Sequence, residues 1–82
     1  MTDSDDFRIK KSTTFGKNLK ELRKSCKLTQ SQVSTYLELQ GFNMPRYGYA
    51  KIEQGRYSIS VHILVVLRKR FDCSFDDMFK NI

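Results

Sequence analysis

The stretch LTQSQVSTYLELQGFNMPRYGYAKIEQG, residues 28–55, decides the fold. It contains two short segments with the apolar spacing of helices, and each has its own start and stop signals. Thr29 and Gln32 form a capping box, in which each side chain can bond to the free backbone N–H of the other residue. The first segment is expected to stop at Gly41, because glycine readily adopts the left-handed conformation that ends helices. Pro45 suits the first turn of the second helix.

The sequence on either side of this stretch predicts three further helices. A first helix is predicted from Phe15 to Cys26, with Thr14 as its N-cap. Ser60 and Ser74 are expected to cap a fourth and a short fifth helix. The predicted apolar stripes contain Phe15, Leu19, Leu22, Cys26, Val33, Leu37, Tyr49, Ile52, Leu64, Leu67, Phe71, Phe75, Met78 and Phe79. No two-residue alternation occurs, so strands are not expected, and the predicted fold class is all-α, a compact five-helix bundle.

The length and the charge distribution predict one small domain with a polar extension. The chain has 82 residues and a formal net charge of +6, and three of its nine acidic residues are Asp3, Asp5 and Asp6. Residues 1–12 are polar and lack periodicity, so we expect a flexible N-terminal arm there and a folded domain over residues 13–82. Because no core position is predicted in the arm, its removal is expected to leave the melting temperature nearly unchanged.

The composition excludes several classes of protein. No apolar run approaches the length of a membrane span, and no signal peptide is visible, so a cytoplasmic protein without a membrane partner is expected. Cys26 and Cys73 are expected to be free thiols. His62 is expected at the surface, and one histidine cannot supply a metal cluster. No catalytic motif is present, so we expect neither an enzyme nor a cofactor, metal or small-molecule ligand.

The excess of basic residues predicts a polyanionic partner, most simply nucleic acid. The second and third helices, joined by a glycine-containing turn, have the layout of a helix-turn-helix. The third helix presents Arg46, Tyr47 and Lys51 around the small Ala50, a surface suited to the major groove of DNA. The alternative is an ordinary solvated helix face. Single-stranded RNA binding is disfavoured, because the aromatic residues lie on apolar stripes rather than on an exposed platform.

Four separated blocks resemble one family. FGKNLKELRK (15–24), LTQSQV (28–33), YAKIEQG (49–55) and SFDDMF (74–79) are similar to the Cro/C1-type, or XRE-family, helix-turn-helix, and the resemblance covers residues 15–79. It implies a lambda-repressor-like DNA-binding domain. The implied function is a sequence-specific transcriptional regulator that binds double-stranded DNA, usually a repressor, of bacterial, phage or mobile-element origin.

The resemblance also assigns roles to individual residues. The positions that match the base-contacting residues are Arg46, Tyr47, Ala50 and Lys51. The positions that match phosphate contacts are Gln30, Gln54 and Arg56. Arg23 and Glu53 match an internal ion pair of the family, and an anion in the last turn of a helix needs such a cation. Arg23 could instead be a DNA-facing cation.

The sequence departs from the commonest family pattern before the recognition helix. Residues 38–44 make a longer connection, as in one subgroup of the family, and Pro45 replaces the usual Ser or Thr cap. A protein-interaction module, such as an antitoxin-like or anti-regulator protein, is therefore an alternative function. The salt dependence of binding distinguishes the two functions. DNA binding weakens steeply as ionic strength rises, whereas binding through a packed protein interface should not.

The fourth helix leaves two further alternatives open. Arg68, in a basic triplet with Lys69 and Arg70, could contact DNA or extend along the edge of its helix. Val66 is expected to point away from the apolar stripe, and with Phe79 and Ile82 it could form a dimer patch. A homodimer joined through the C-terminal helices would bind a palindromic or pseudo-palindromic operator.

Overall fold

The computed structural model describes residues 8–82, and its helices confirm the predicted all-α fold. In this part of the chain five helices occur: α1 (Thr13–Ser25), α2 (Gln30–Leu39), α3 (Arg46–Glu53), α4 (Val61–Phe71) and α5 (Phe75–Phe79). None of these helices is long and apolar enough to cross a membrane.

The helix starts follow the capping signals of the sequence, with one difference. The predicted capping box at Thr29 is present before α2, and the predicted cap Ser74 forms a second capping box with Asp77 before α5. The side chain of Ser60 caps α4 by accepting a hydrogen bond from the backbone of Ile63. The N-cap of α1 is Ser12 rather than Thr14, because the Ser12 hydroxyl accepts from the backbone N–H of Phe15 at 3.1 Å. The helix therefore begins two residues earlier than predicted.

Residues 8–12 differ from the prediction of a flexible arm. Arg8–Ile9 (β1) pairs antiparallel with Ile59–Ser60 (β2), and Ile9 packs against the core. No strands were expected, because a pairing of two residues per strand is too short to produce an alternating pattern. Removing residues 1–12 would therefore delete a strand and a helix cap, and the melting temperature should fall. The rest of the predicted arm, residues 1–7, lies outside the described residues.

All five helices contribute to one hydrophobic core. Its buried apolar members are Phe15, Leu19, Val33, Leu37, Tyr49, Ile52, Ile59, Ile63, Leu64, Leu67, Phe71 and Met78. Ile59 and Ile63 were not predicted, whereas Phe75, which was, lies at the surface with 43% of its area exposed. Val66 packs against the core, contrary to expectation, and Val65 is the exposed residue.

The polar residues of α4 are exposed or half-buried. The guanidinium of Arg68 lies 5.0 Å from the ring of Phe75, an arrangement in which the side chain extends along the helix edge. His62 is exposed. Cys26 and Cys73 are free, half-buried thiols, and burial raises the pKa of Cys73. The described residues contain no group of three or more side chains that could hold a metal ion.

Helix α1 connects the C-terminal helix to α3. The side-chain amide of Asn18 donates to the carbonyl of Met78 at 3.0 Å and to that of Lys80 at 2.8 Å. On the same helix, Gly16 lies against the end of α3, where a Cβ atom would be 2.6 Å from the carbonyl oxygen of Ile52. Only glycine permits this close approach, so α1 and the end of α3 are in backbone contact.

Candidate nucleic-acid interface

One side of α3 is buried in the core and the other faces solvent. Its buried residues are Gly48, Tyr49, Ile52 and Glu53. The predicted base-contacting residues lie on the other side: Arg46 and Tyr47 are exposed, and Ala50 and Lys51 are half-buried. These four positions are spaced so that they share one broad face of a helix. The structure therefore brings the predicted base-contacting residues together.

Lys51 is held towards the loop that follows α3. Its Nζ atom lies 5.3 Å from the centre of the Tyr57 ring, a cation–π contact. Such a contact at a solvent-accessible site is worth about 0.5–1 kcal/mol. Tyr57 therefore restrains the C-terminal edge of the exposed face.

A buried ion pair fixes the C-terminal end of α3. Arg23 donates from Nε to Oε2 of Glu53 at 2.7 Å and from Nη2 to Oε1 at 3.1 Å. Its Nη1 donates to the carbonyl of Leu28 at 2.8 Å. The hydrogen bond to Glu53 is the main cause of a raised pKa of Arg23, so the guanidinium stays charged. The pair expected from the resemblance thus ties α1 to α3 and to the start of α2, and Arg23 is not a surface cation.

Gln30 belongs to the same network. Its side-chain amide nitrogen donates to Oε1 of Glu53 at 3.1 Å. The family resemblance implies only a phosphate contact for Gln30, and nothing in the sequence indicated this second role. The buried carboxylate therefore holds the first residue of α2 next to the end of α3.

The long connection between α2 and α3 is anchored at a few points. Gly41 has a positive φ of 95°, and the backbone N–H of Phe42 donates to the carbonyl of Leu37 at 3.0 Å. Further along, the hydroxyl of Ser34 donates to the carbonyl of Met44 at 2.7 Å. Pro45 is the N-cap of α3, and no side chain caps the helix there.

The residues after α3 extend the exposed basic surface. Gln54 and Arg56, the other predicted phosphate contacts, are both exposed. Arg56 lines an open groove of about 910 Å³, which Lys10 and Lys11 also line. These two lysines were expected in a flexible arm, so their position beside α3 was not predicted. No signal in the sequence indicated it, because it depends on the β1–β2 pairing.

The comparison with known families agrees with this geometry. No curated protein and no solved structure shows significant similarity to the chain. The profile of one family, described as helix-turn-helix, matches residues 19–78, which contain α2, α3, α4 and most of the rest of the domain. Members of this family are DNA-binding regulators. The chain belongs to the helix-turn-helix family of the XRE, or Cro/C1, type.

Proposed function

We propose that the protein is a sequence-specific transcriptional regulator that binds double-stranded DNA and acts as a repressor. The observation that carries this proposal is the exposed, basic face of α3, on a helix whose other side is fixed in the core. A helix can lie in the major groove, where each base pair presents a distinct pattern of donors and acceptors. Repression requires only that the operator be occupied, so a DNA-binding domain is sufficient for it.

Arg46 is the residue that we expect to contribute most to base recognition. It is exposed on the first turn of α3, and arginine can donate two parallel hydrogen bonds to O6 and N7 of guanine. Tyr47 and Ala50 share the face and can make apolar contacts with thymine methyl groups. Lys51, restrained by Tyr57, contacts guanine or a nearby phosphate.

Gln30, Gln54 and Arg56 are proposed to contact phosphates. Gln54 and Arg56 are exposed just beyond the recognition helix. The amide nitrogen of Gln30 has two hydrogens, so a phosphate can accept one while Glu53 accepts the other. Contacts of this kind fix the position of the protein on the duplex but carry no sequence information.

A homodimer is proposed as the working form. One recognition helix contacts too few base pairs to define a unique site, whereas two copies can occupy half-sites about 34–36 Å apart. The C-terminal region presents apolar side chains for such a contact, since Val65 is 40%, Phe75 43% and Ile82 68% exposed. The operator is then palindromic or pseudo-palindromic.

The test is selection of bound sites from a random duplex pool, followed by binding of variants to operators with single-base changes. Arg46→Ala should cost about 1–3 kcal/mol and relax the preference at one base position in each half-site. Arg56→Ala should weaken binding to all sequences alike and reduce the salt slope by about 1. Lys20→Ala, an exposed residue of α1, is the matched control.

Two outcomes would contradict the proposal. If Arg46→Ala weakens binding to every operator equally, Arg46 contacts phosphate and α3 does not read bases through it. If the pool yields no consensus and duplex binding does not depend on salt, the protein-interaction function is favoured instead.

A further inference from the structure

A basic groove runs from the residues before α1 to α3, where the turn before α3, the first residues of α3 and the loop after α3 line it. It consists of two adjoining hollows, of about 910 Å³ and about 620 Å³, that share Lys11, Arg56 and Tyr57. Lys10 lines the larger hollow and Lys51 the smaller one. Among the described residues 8–82, no carboxylate lines either hollow. The described lining therefore concentrates positive charge.

The lysine side of this groove is held in place by the fold. The β1–β2 pairing fixes Ile9 opposite Ile59, and the cap made by Ser12 fixes the start of α1. Lys10 and Lys11 are the two residues between these fixed points. Two residues between such anchors have little freedom, so their backbone keeps its place relative to the rest of the domain.

The two sides of the groove are joined by a direct backbone contact. Gly55 has a positive φ of 77°, and a Cβ atom there would lie 2.6 Å from the Cα atom of Thr13. The chain that leaves α3 thus packs on the chain that enters α1. Because Lys11 lies two residues before Thr13 and Arg56 directly follows Gly55, this contact fixes the backbone of both cations relative to each other.

The groove adjoins the exposed face of α3. Tyr47 lines the larger hollow and Lys51 the smaller one, and both are on the proposed base-contacting face. When that face enters the major groove, a phosphate strand must border it. Cations and tyrosine hydroxyls without a competing carboxylate are suited to phosphate oxygens.

We propose that Lys10 and Lys11, together with Arg56, form a clamp for the DNA phosphate strand that borders the recognition helix. This inference rests on the proposed function and adds a DNA-contacting element outside the helix-turn-helix. The clamp does not read sequence. It contributes to affinity for all duplexes and fixes how far α3 enters the major groove.

The experiment compares two double variants of the full chain, Lys10→Ala/Lys11→Ala and Lys20→Ala/Lys24→Ala. All four lysines are exposed, so both variants lose the same charge from different faces. The equilibrium constant for the selected operator is measured from 0.05 to 1 M salt. Thermal melts followed by circular dichroism verify that each variant is folded.

Loss of two phosphate contacts should reduce the slope of log K against log salt by about 1.8, since each contact contributes about 0.9. With this change in slope, the binding constant of Lys10→Ala/Lys11→Ala should be about 60-fold lower than that of the unmodified protein at 0.1 M salt. The difference should disappear towards 1 M salt. The loss should be equal for the operator and for unrelated duplexes. The control variant should keep the slope of the unmodified protein to within about 0.5, because its lysines lie away from the groove.

The outcomes separate this proposal from the function on which it rests. If the unmodified protein does not bind duplex DNA, the proposed function fails. If it binds and the two double variants behave alike, the clamp is wrong and the proposed function stands.

A third arm tests whether the groove takes a free anion rather than DNA phosphate. Stabilisation of the unmodified protein by millimolar inorganic phosphate, abolished in Lys10→Ala/Lys11→Ala while DNA affinity is unchanged, would overturn the clamp in favour of a free-anion site.

Discussion

The two ends of the recognition helix are held in very different ways. At the C-terminal end of α3, Glu53 is buried and makes a two-point ion pair with Arg23. There, Gly16 of α1 lies against the backbone of Ile52 and Glu53, and Gly55 lies against the backbone of Thr13. At the N-terminal end, Pro45 provides no side-chain cap and Arg46 is exposed. The hydroxyl of Ser34 is the side-chain group that anchors the preceding turn.

This difference separates stability from recognition along one short helix. The C-terminal end carries the contacts that hold the domain together, and the N-terminal end carries the arginine that we propose to read a base. Substitutions at the two ends should therefore have opposite profiles. Those in the buried contacts at the C-terminal end should lower the free energy of unfolding, and that of Arg46 at the N-terminal end should change DNA affinity at little cost in stability.

The largest effect is expected from Arg23→Ala. Removing the guanidinium leaves the buried carboxylate of Glu53 without its charged partner, which costs about 3–5 kcal/mol for a buried pair. The free energy of unfolding is measured by urea denaturation. Lys24→Ala, an exposed neighbour, is the control and should stay within about 0.5 kcal/mol of the unmodified protein. A loss below about 1 kcal/mol for Arg23→Ala would show that solvent screens the pair and that the C-terminal end is not the stronger anchor.

A pair of glycine substitutions measures the crowding at the C-terminal end directly. Gly41 and Gly55 both have positive φ, so alanine at either position suffers a similar backbone strain of about 1 kcal/mol. A Cβ atom on Gly41 meets nothing within 4 Å, whereas one on Gly55 would collide with the backbone of Thr13. Gly55→Ala should therefore cost roughly 1–3 kcal/mol more than Gly41→Ala in thermal melts. An equal loss of stability in the two variants would mean that the backbone around Gly55 and Thr13 can move apart at little energetic cost.

The smallest effect is expected from Ser34→Ala. This residue of α2 anchors the turn that precedes the N-terminal end of α3. The substitution removes the hydrogen bond to the carbonyl of Met44, which should lower the free energy of unfolding by about 0.5–1.5 kcal/mol. Amide hydrogen exchange over residues 42–46 should speed up while the core amides stay protected. Thr35→Ala, an exposed neighbour on α2, should change neither measurement. Faster exchange throughout the domain would contradict a local role for this bond.

The features that depend on local chemistry could be predicted from the sequence. The capping boxes at Thr29 and Ser74 and the five helices follow from the spacing of apolar residues and caps within a few positions. The Arg23–Glu53 pair was predicted from the family resemblance. The unfavourable position of an anion at the C-terminal end of a helix supported this prediction.

The features that depend on packing between distant segments could not be predicted. The burial of Asn18 depends on carbonyls about 60 residues away, at Met78 and Lys80. The place of Lys10 and Lys11 depends on a two-residue pairing with β2 and on the missing side chain of Gly55. Val66 lies one turn from Ile63, whose burial was not predicted, so the core-facing side of α4 is wider than the predicted stripe and includes Val66.

The packing of α3 through its buried side also affects how such a protein can change during evolution. Arg46 and Tyr47 project into solvent, and the helix that carries them is secured by residues on its opposite side. Substitutions at such surface positions usually stay within about 0.5 kcal/mol of neutrality. Under the proposed function, new operator preferences can therefore arise by single mutations at these positions while the domain stays folded. The same property makes positions 46 and 47 suitable for a library in which nearly every member folds.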